Sequence, residues 1–305
     1  MKPKTVAIIG AGGRGTLFAD IIGEYGHLGK VVAVAEPKDD YRQSMATKHG
    51  VKKDMCFNTW QEFVARPKLC DAVVVATMDR EHVEPAVACL NKGYDMLLEK
   101  PMAPSLAECR AIEQAQRKSG GIVAVCHSLR YHKEFRKVRD LVASGAIGRL
   151  ITVDMVEGVA TWHQAHSFVR GNWGNEAKSA FMLLAKCCHD IDYLCFLTGQ
   201  PARYVSSFGS LTYFRKENAP EGAADRCTDN CPCEPTCQYS AIKQYVNSDR
   251  ETWPPKVVSY DHSYEAHLKA IQTGPYGRCV WKCDNDVVDH QVVNIQFDND
   301  ITATF

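Results

Sequence analysis

The sequence predicts an α/β fold: an N-terminal doubly wound parallel sheet, then a second α/β domain built on a mostly antiparallel open sheet. Three observations carry that expectation. Val6, Ala7, Ile8 and Ile9 form an unbroken apolar run, followed at once by Gly10, Gly12 and Gly15 and then by a helical pattern at Leu17, Phe18, Ile21 and Ile22. Apolar runs of strand length then alternate with helical patterns as far as Cys126, as repeated βα units do when helices cover both faces of a parallel sheet. Beyond Cys126 the runs lengthen and alternate in polarity, which suits an antiparallel sheet with one helical face.

The first element sets the chemistry. Gly10 permits a tight turn, Gly12 lets backbone approach a pyrophosphate, and Gly15 lets the helix pack closely on the strand. The helix that begins over Gly13 and Arg14 directs unsatisfied N–H groups and its positive dipole end at the same point. A second strand over residues 31–35 ends in Glu36, placed where a carboxylate takes the ribose hydroxyls of a dinucleotide. That carboxylate repels a 2′-phosphate, so NAD is the expected cofactor, with NADP as the alternative because Lys38 is nearby.

The remaining elements of the first half follow in order. Residues 39–49 read as a helix closed by Gly50, and 55–57 as a short strand before a helix capped by Asn58 or Thr59. Residues 71–76 are a buried strand, 81–92 a helix stopped by Gly93, and 94–98 a strand ending in Glu99, Lys100 and Pro101. Ser105 and Glu108 form a capping box for a helix to Ser119, and 122–126 is the last strand of the set. Gly10, Glu36, Thr77, Lys100 and His127 all fall just past strand ends, the rim where parallel sheets bind ligands. In the second half, 135–144 reads as an amphipathic helix, 149–157 as a longer strand and 158–178 as a loop rich in Trp, His, Asn and Gly. An apolar helix follows near 181–197, and strands near 203–213 and 287–297 flank a long polar insertion bearing cysteines.

Length and charge bound the function. A chain of 305 residues accommodates one or two domains, and 36 basic against 36 acidic residues leave no electrostatic footprint for nucleic acid or an anionic membrane. No apolar run approaches the roughly 20 residues that span a bilayer. Most of the 14 cysteines sit in apolar segments as small hydrophobes, so a reduced, cytoplasmic protein is expected. In the insertion, Cys227, Cys231, Cys233 and Cys237 have the number of thiols a zinc site uses, but the Cys231–Cys233 pair departs from structural zinc spacing, so no metal is assigned, and zinc ligation stays open beside ordinary loop thiols and cysteines that oxidise.

Two sets of side chains offer acid–base chemistry. Lys100, at the mouth of the strand rim, is suited to hydrogen-bond a substrate hydroxyl and stabilise alkoxide character. Lys186, His189 and Asp192 recur at i, i+3 spacing on one face of an otherwise apolar helix, a stripe that needs a polar cleft to face. A Lys100–Lys186–His189 cluster is expected, in which neighbouring cations lower each other's pKa and poise a neutral base. The loop bearing Trp162, His163, His166 and Arg170 suits a carbohydrate through ring stacking and hydroxyl hydrogen bonds.

The glycine turn, Ala76 and Thr77, His82, the Glu99-Lys100-Pro101 motif and the helix of His189, Asp190 and Asp192 resemble the glucose-fructose oxidoreductase / inositol dehydrogenase / rhizopine-catabolism (Gfo/Idh/MocA) family over essentially the whole chain. The resemblance implies a Rossmann domain over residues 1–128 and a substrate-binding and oligomerisation α/β domain over 129–305. It implies NAD(P)-dependent oxidation or reduction of a carbinol in a sugar, sugar acid or cyclitol, and a homo-oligomer formed through the second sheet. Lys100 takes the place of the catalytic lysine and His189 that of the acid/base histidine. The expected cofactor set is Gly10, Gly12, Gly13, Arg14, Gly15, Glu36, Ala76, Thr77, His82, Glu99 and Lys100. The expected substrate set is Arg130, Tyr131, Trp162, His163, His166, Arg170 and Asp192. Ala185 stands where the family commonly has an acid four residues before the histidine, and Met78 and Asp79 replace its Pro-Asn turn. Relatives continue with further strands beyond Phe305, so a domain truncated at its C-terminus is expected. An NAD-dependent glycosidase working by transient oxidation and elimination, and a non-catalytic dinucleotide sensor or subunit, are the alternatives.

Overall fold

The computed structural model describes residues 2–305, which divide into two compact units between Cys126 and His127. In the first unit, strands β1 (Lys4–Ile9), β2 (Gly29–Ala35), β3 (Cys56–Phe57), β4 (Ala72–Val75), β5 (Asp95–Leu98) and β6 (Val123–Val125) form one sheet in the order β3-β2-β1-β4-β5-β6. Every pairing in it is parallel. Helices α1 (Gly13–Glu24), α2 (Asp39–His49), α3 (Trp60–Ala65), α4 (Val83–Asn91) and α5 (Leu106–Ser119) connect the strands.

Both sheet faces are covered, which explains the continuous apolar strands. Because successive side chains point to opposite faces, Ile8, Val34 and Val74 pack with Ala19 and Met45, while Ile9, Ala33, Val75 and Leu98 pack with Phe63, Leu90 and Ile112. The stops and caps act as the sequence predicts. Gly50 and Gly120 close α2 and α5 in the left-handed conformation, and the hydroxyls of Thr59 and Ser105 accept the N–H groups of Glu62 and Glu108. One detail of α1 differs. Leu17 and Ile21 are substantially exposed, because the helix approaches the sheet through Gly15 and Ala19, leaving only Phe18 and Ile22 of the expected apolar stripe against the core.

The second unit begins with α6 (Lys133–Ala143) and carries β7 (Thr152–Asp154), β8 (Ala202–Ser210), β9 (His290–Phe297) and β10 (Thr302–Thr304) in the order β7-β10-β9-β8. β8–β9 and β9–β10 are antiparallel and β7–β10 is parallel. Leu194 packs on Val293, Ile295, Phe297, Ile301 and Ala303, so one sheet face is helix-covered, while Tyr204, Phe208 and Val292 are exposed.

Three expectations for this half are corrected. The strand over 149–157 pairs only across Thr152–Asp154, because its neighbour β10 offers three residues; the alternation of burial nevertheless runs on beyond the ladder. The loop over 158–178 contains a short turn, α7 (Thr161–His163), and a wholly buried π-helical segment, Gln164–Arg170. The helix over 181–197 is two helices, α8 (Met182–Ala185) and α9 (Cys188–Thr198). They meet at Lys186 and Cys187, where the N–H of Cys187 reaches five residues back to Met182. That joint takes Lys186 off the stripe it was expected to share with His189 and Asp192, which remain together on α9. Among the described residues no helix is long and apolar enough to cross a membrane. The chain continues through α10 (Tyr264–Thr273) before β9.

Candidate functional site

The C-terminal rim of the parallel sheet is ordered by backbone bonds that continue the ladder past the strand ends. Gly10 donates to Ala35, Glu36 to Phe57, Ala76 to Ile9 and Glu99 to Val75. Gly10 turns there with φ +88°, and a Cβ on it would lie 2.6 Å from the Ala76 carbonyl oxygen, so the turn is seated against the end of β4. A Cβ on Gly15 would lie 1.9 Å from the carbonyl oxygen of Gly10, which fixes how closely α1 meets the turn. Around Gly12 and Gly13, by contrast, no atom lies within 4 Å of where a Cβ would stand.

That open space lies at a helix end suited to an anion. Gly12 is the N-cap of α1 and supplies no side-chain cap, and no acid lies in the first turn. The first-turn N–H groups of such a helix have no intrahelical partner and sit at its positive end. Glu36 is buried, its two oxygens accepting the N–H of Ala11 at 2.7 Å and that of Lys38 at 2.9 Å. A carboxylate thus lies one strand away from a turn suited to an anion, the pairing that a dinucleotide's ribose and pyrophosphate require. These residues fit NAD.

Lys100 is held by its neighbours. The buried Glu99 carboxylate accepts the Lys100 N–H at 2.9 Å on one oxygen and the Arg14 guanidinium on the other, tying the glycine turn to the segment after β5. Arg14 also reaches the Cys126 sulfur. His82, expected to touch the cofactor, is buried, with its ring nitrogens 2.8 Å from the Pro101 carbonyl and 3.3 Å from that of Thr77. It therefore clamps the loops after β4 and β5 together and holds Lys100 in place from behind. Neither Glu99's double role nor this clamp is readable from spacing alone.

In the second unit, Asp192 takes a bidentate ion pair from Arg130, with both N–O distances 2.7 Å. Tyr131 beside it is exposed. His189 lies against His127, ring centroids 5.8 Å apart and nearly perpendicular. Lys186 donates to Glu157 at 2.7 Å, so the positive charge expected to act on His189 has its own carboxylate. Glu157 was not singled out in the sequence, because it lies 29 residues earlier.

The loop expected to meet the substrate divides in two. Trp162 is exposed and packs edge-to-face with Trp253, with His163 against both, so this part presents aromatic surface. Trp253, which is also exposed, lies in the polar insertion and was missed by the sequence reading; a tryptophan followed by two prolines in such a segment was the available signal. His166 and Arg170, expected among the substrate-binding residues, are buried and bonded to other parts of the chain. His166 accepts or donates at 3.0 Å with the Tyr245 hydroxyl and stacks on Tyr276. Arg170 donates to the carbonyls of Arg278 and Tyr239.

Burial and the nearby His163 and Arg170 push His166 down from 6.5 to about 3. A histidine that is neutral when folded and protonated when unfolded stabilises the fold fully above about 6.5; that stability declines below it and is gone near 3. The melting temperature is therefore expected to fall between pH 7 and pH 4, and His166→Gln to flatten that fall. Equal slopes in calorimetry would defeat the assignment.

A family model described as "Oxidoreductase family, NAD-binding Rossmann fold" matches residues 4–127, and one described as "GFO/IDH/MocA C-terminal domain" matches residues 135–230. The oxidoreductase YteT of Bacillus subtilis (strain 168) is 26% identical over 233 residues, 75% of this chain and 53% of that protein. The 1,5-anhydro-D-fructose reductase of Ensifer adhaerens is 32% identical over 181 residues, 58% of this chain and 52% of that protein. The chain thus spans about half the length of these curated relatives. The crystal structure of a myo-inositol 2-dehydrogenase from Lactobacillus plantarum has the same fold, with a TM-score of 0.67 at 18% identity over 99% of this chain and 69% of that one.

Proposed function

The chain belongs to the Gfo/Idh/MocA oxidoreductase family, and from that premise we propose that it transfers a hydride between NAD and a carbinol of a sugar, sugar acid or cyclitol. The observation that carries this reading is the pairing of an uncapped, glycine-lined helix end with the buried Glu36 carboxylate on one rim. The relatives named for anhydrofructose and myo-inositol support the substrate class, as does the exposed Trp162–Trp253 pair, a surface suited to the apolar face of a sugar ring.

When bound, NAD supplies the hydride acceptor. Lys100, held through Glu99 and His82, is assigned the hydrogen bond to the reacting hydroxyl. His189 is assigned the proton relay. Lys186, paired with Glu157, is assigned the electrostatic setting of α9. The exposed apolar side of the second sheet, with Phe208 81% exposed, supports self-association through it.

A screen of sugars, sugar acids and cyclitols with NAD, read as NADH formation, tests the reading. Aryl-glycoside cleavage that needs NAD without net NADH would select the elimination chemistry instead. Loss of the Glu36 charge in Glu36→Gln keeps an acceptor for Ala11 but removes the repulsion of a 2′-phosphate. The NADH-over-NADPH preference is expected to shrink about tenfold, roughly 1.4 kcal/mol, in paired binding titrations; an unchanged ratio would remove Glu36 from that role. Lys186→Met strips Glu157 of its partner and is expected to displace the pH–rate profile. An unchanged profile would take Lys186 out of the catalytic set.

A further inference from the structure

The cysteine insertion is used by none of the chemistry above, yet its thiols are not scattered. Cys227, Cys231, Cys233 and Cys237 from one segment and Cys279 from another line a single cavity of about 20 Å³, room for roughly one water-sized occupant. Three of these sulfurs are targets of N–H groups. Cys227 accepts from Ala241 at 3.3 Å and from Arg170 at 3.6 Å; Cys237 accepts from the N–H of Tyr239, and Cys279 from that of Trp281. Donors aimed at a sulfur favour its thiolate form. Cys233 differs in that its thiol donates to a protein carbonyl, that of Glu221, although it also lines the cavity and lies beside Cys231.

A second, independent observation concerns charge. Arg170 is 1% exposed, and its hydrogen-bond acceptors are two carbonyls and the Cys227 sulfur, none of them a carboxylate. Three side chains lining the cavity carry a buried N–H without an acceptor: Arg170 Nη1, Arg226 Nε and Trp281 Nε1. An unanswered buried donor costs about 1–3 kcal/mol, more when charged, so three around one thiol-lined space call for negative charge inside it.

We propose that Cys227, Cys231, Cys237 and Cys279 bind a thiophilic divalent cation of the zinc class, with Arg170, Arg226 and Trp281 donating to the thiolate sulfurs. Four thiolates around a dication leave net negative charge, which answers the two arginines. Among the described residues no three such ligands already stand close enough together to hold an ion, so binding draws the sulfurs inward across the cavity to the Zn–S distance of about 2.3 Å.

The test is a Co²⁺ titration of the reduced full chain. The expected result is one equivalent bound, with thiolate-to-cobalt charge-transfer absorption and the intense visible bands of tetrahedral geometry, bleached by Zn²⁺. Cys233→Ser is expected to keep this spectrum, and Cys237→Ser or Cys279→Ser to weaken binding at least about 100-fold. Wild-type protein that melts cooperatively yet gives no such bands overturns the proposal. So does a spectrum lost equally in Cys233→Ser, or thiol counting that finds these cysteines joined in disulfides after purification under reductant. The wild-type titration decides the matter even where a serine variant fails to fold.

Discussion

Lys100→Ala is expected to lower turnover by about 10²–10⁴-fold, the range of a lost acid–base group, while NAD affinity stays within a few-fold. The separation follows from how the residue is held. Its backbone N–H is fixed by the buried Glu99 carboxylate, and the segment after it by His82 on the Pro101 carbonyl. Neither bond uses the lysine side chain, so truncating it leaves the rim intact. The features that fit NAD lie on other elements, in the turn after β1 and at the end of β2. Steady-state rates beside a fluorescence titration of NADH measure both quantities. Turnover left intact would refute the assignment, and a chain that only senses dinucleotide would show no catalytic loss at all.

The second large effect contrasts two glycines of one motif. Gly15→Ala places a methyl 1.9 Å from the backbone oxygen of Gly10 and 3.2 Å from an Ile8 methyl. No side-chain rotation relieves an overlap with backbone, so α1 and the turn must move apart, at a cost of about 3 kcal/mol or more. The variant is expected to melt well below the parent and to bind NAD poorly. Gly12→Ala meets nothing within 4 Å, so its melting temperature is expected to stay near that of the parent while NAD affinity falls at least tenfold. The methyl occupies the space through which the backbone would approach the pyrophosphate. Differential scanning calorimetry with NADH titration separates the two. If both variants bound NAD normally, the glycine turn would not be the phosphate site.

The parallel sheet, its glycine turn, the caps and the positions of Glu36, Thr77 and Lys100 just past strand ends were determined by the sequence itself. Each is announced by a local signal. A strand buried on both faces must be apolar throughout, a left-handed stop favours glycine, and a cap needs a short hydroxyl side chain three residues before its N–H. The order of the strands, β3-β2-β1-β4-β5-β6, came from the tertiary structure, because the same βα repeats are compatible with more than one doubly wound order.

Tertiary structure decided the rest, where the partner lies far along the chain. Periodicity read residues 181–197 as one helix, but a break at Lys186 and Cys187 separates α8 from α9, and Lys186 bonds Glu157, 29 residues away. The segment from Gln164 to Arg170 has the polar composition of a loop, yet it is buried because Tyr245, Tyr276 and two carbonyls distant in sequence receive its His166 and Arg170. The cysteine spacing excluded nothing and assigned nothing. The gathering of Cys279 with thiols some 40 residues earlier, and the donors left without acceptors around them, exist only once the chain is folded. A polar residue's role is set by what it meets, and composition in its own neighbourhood does not carry that information.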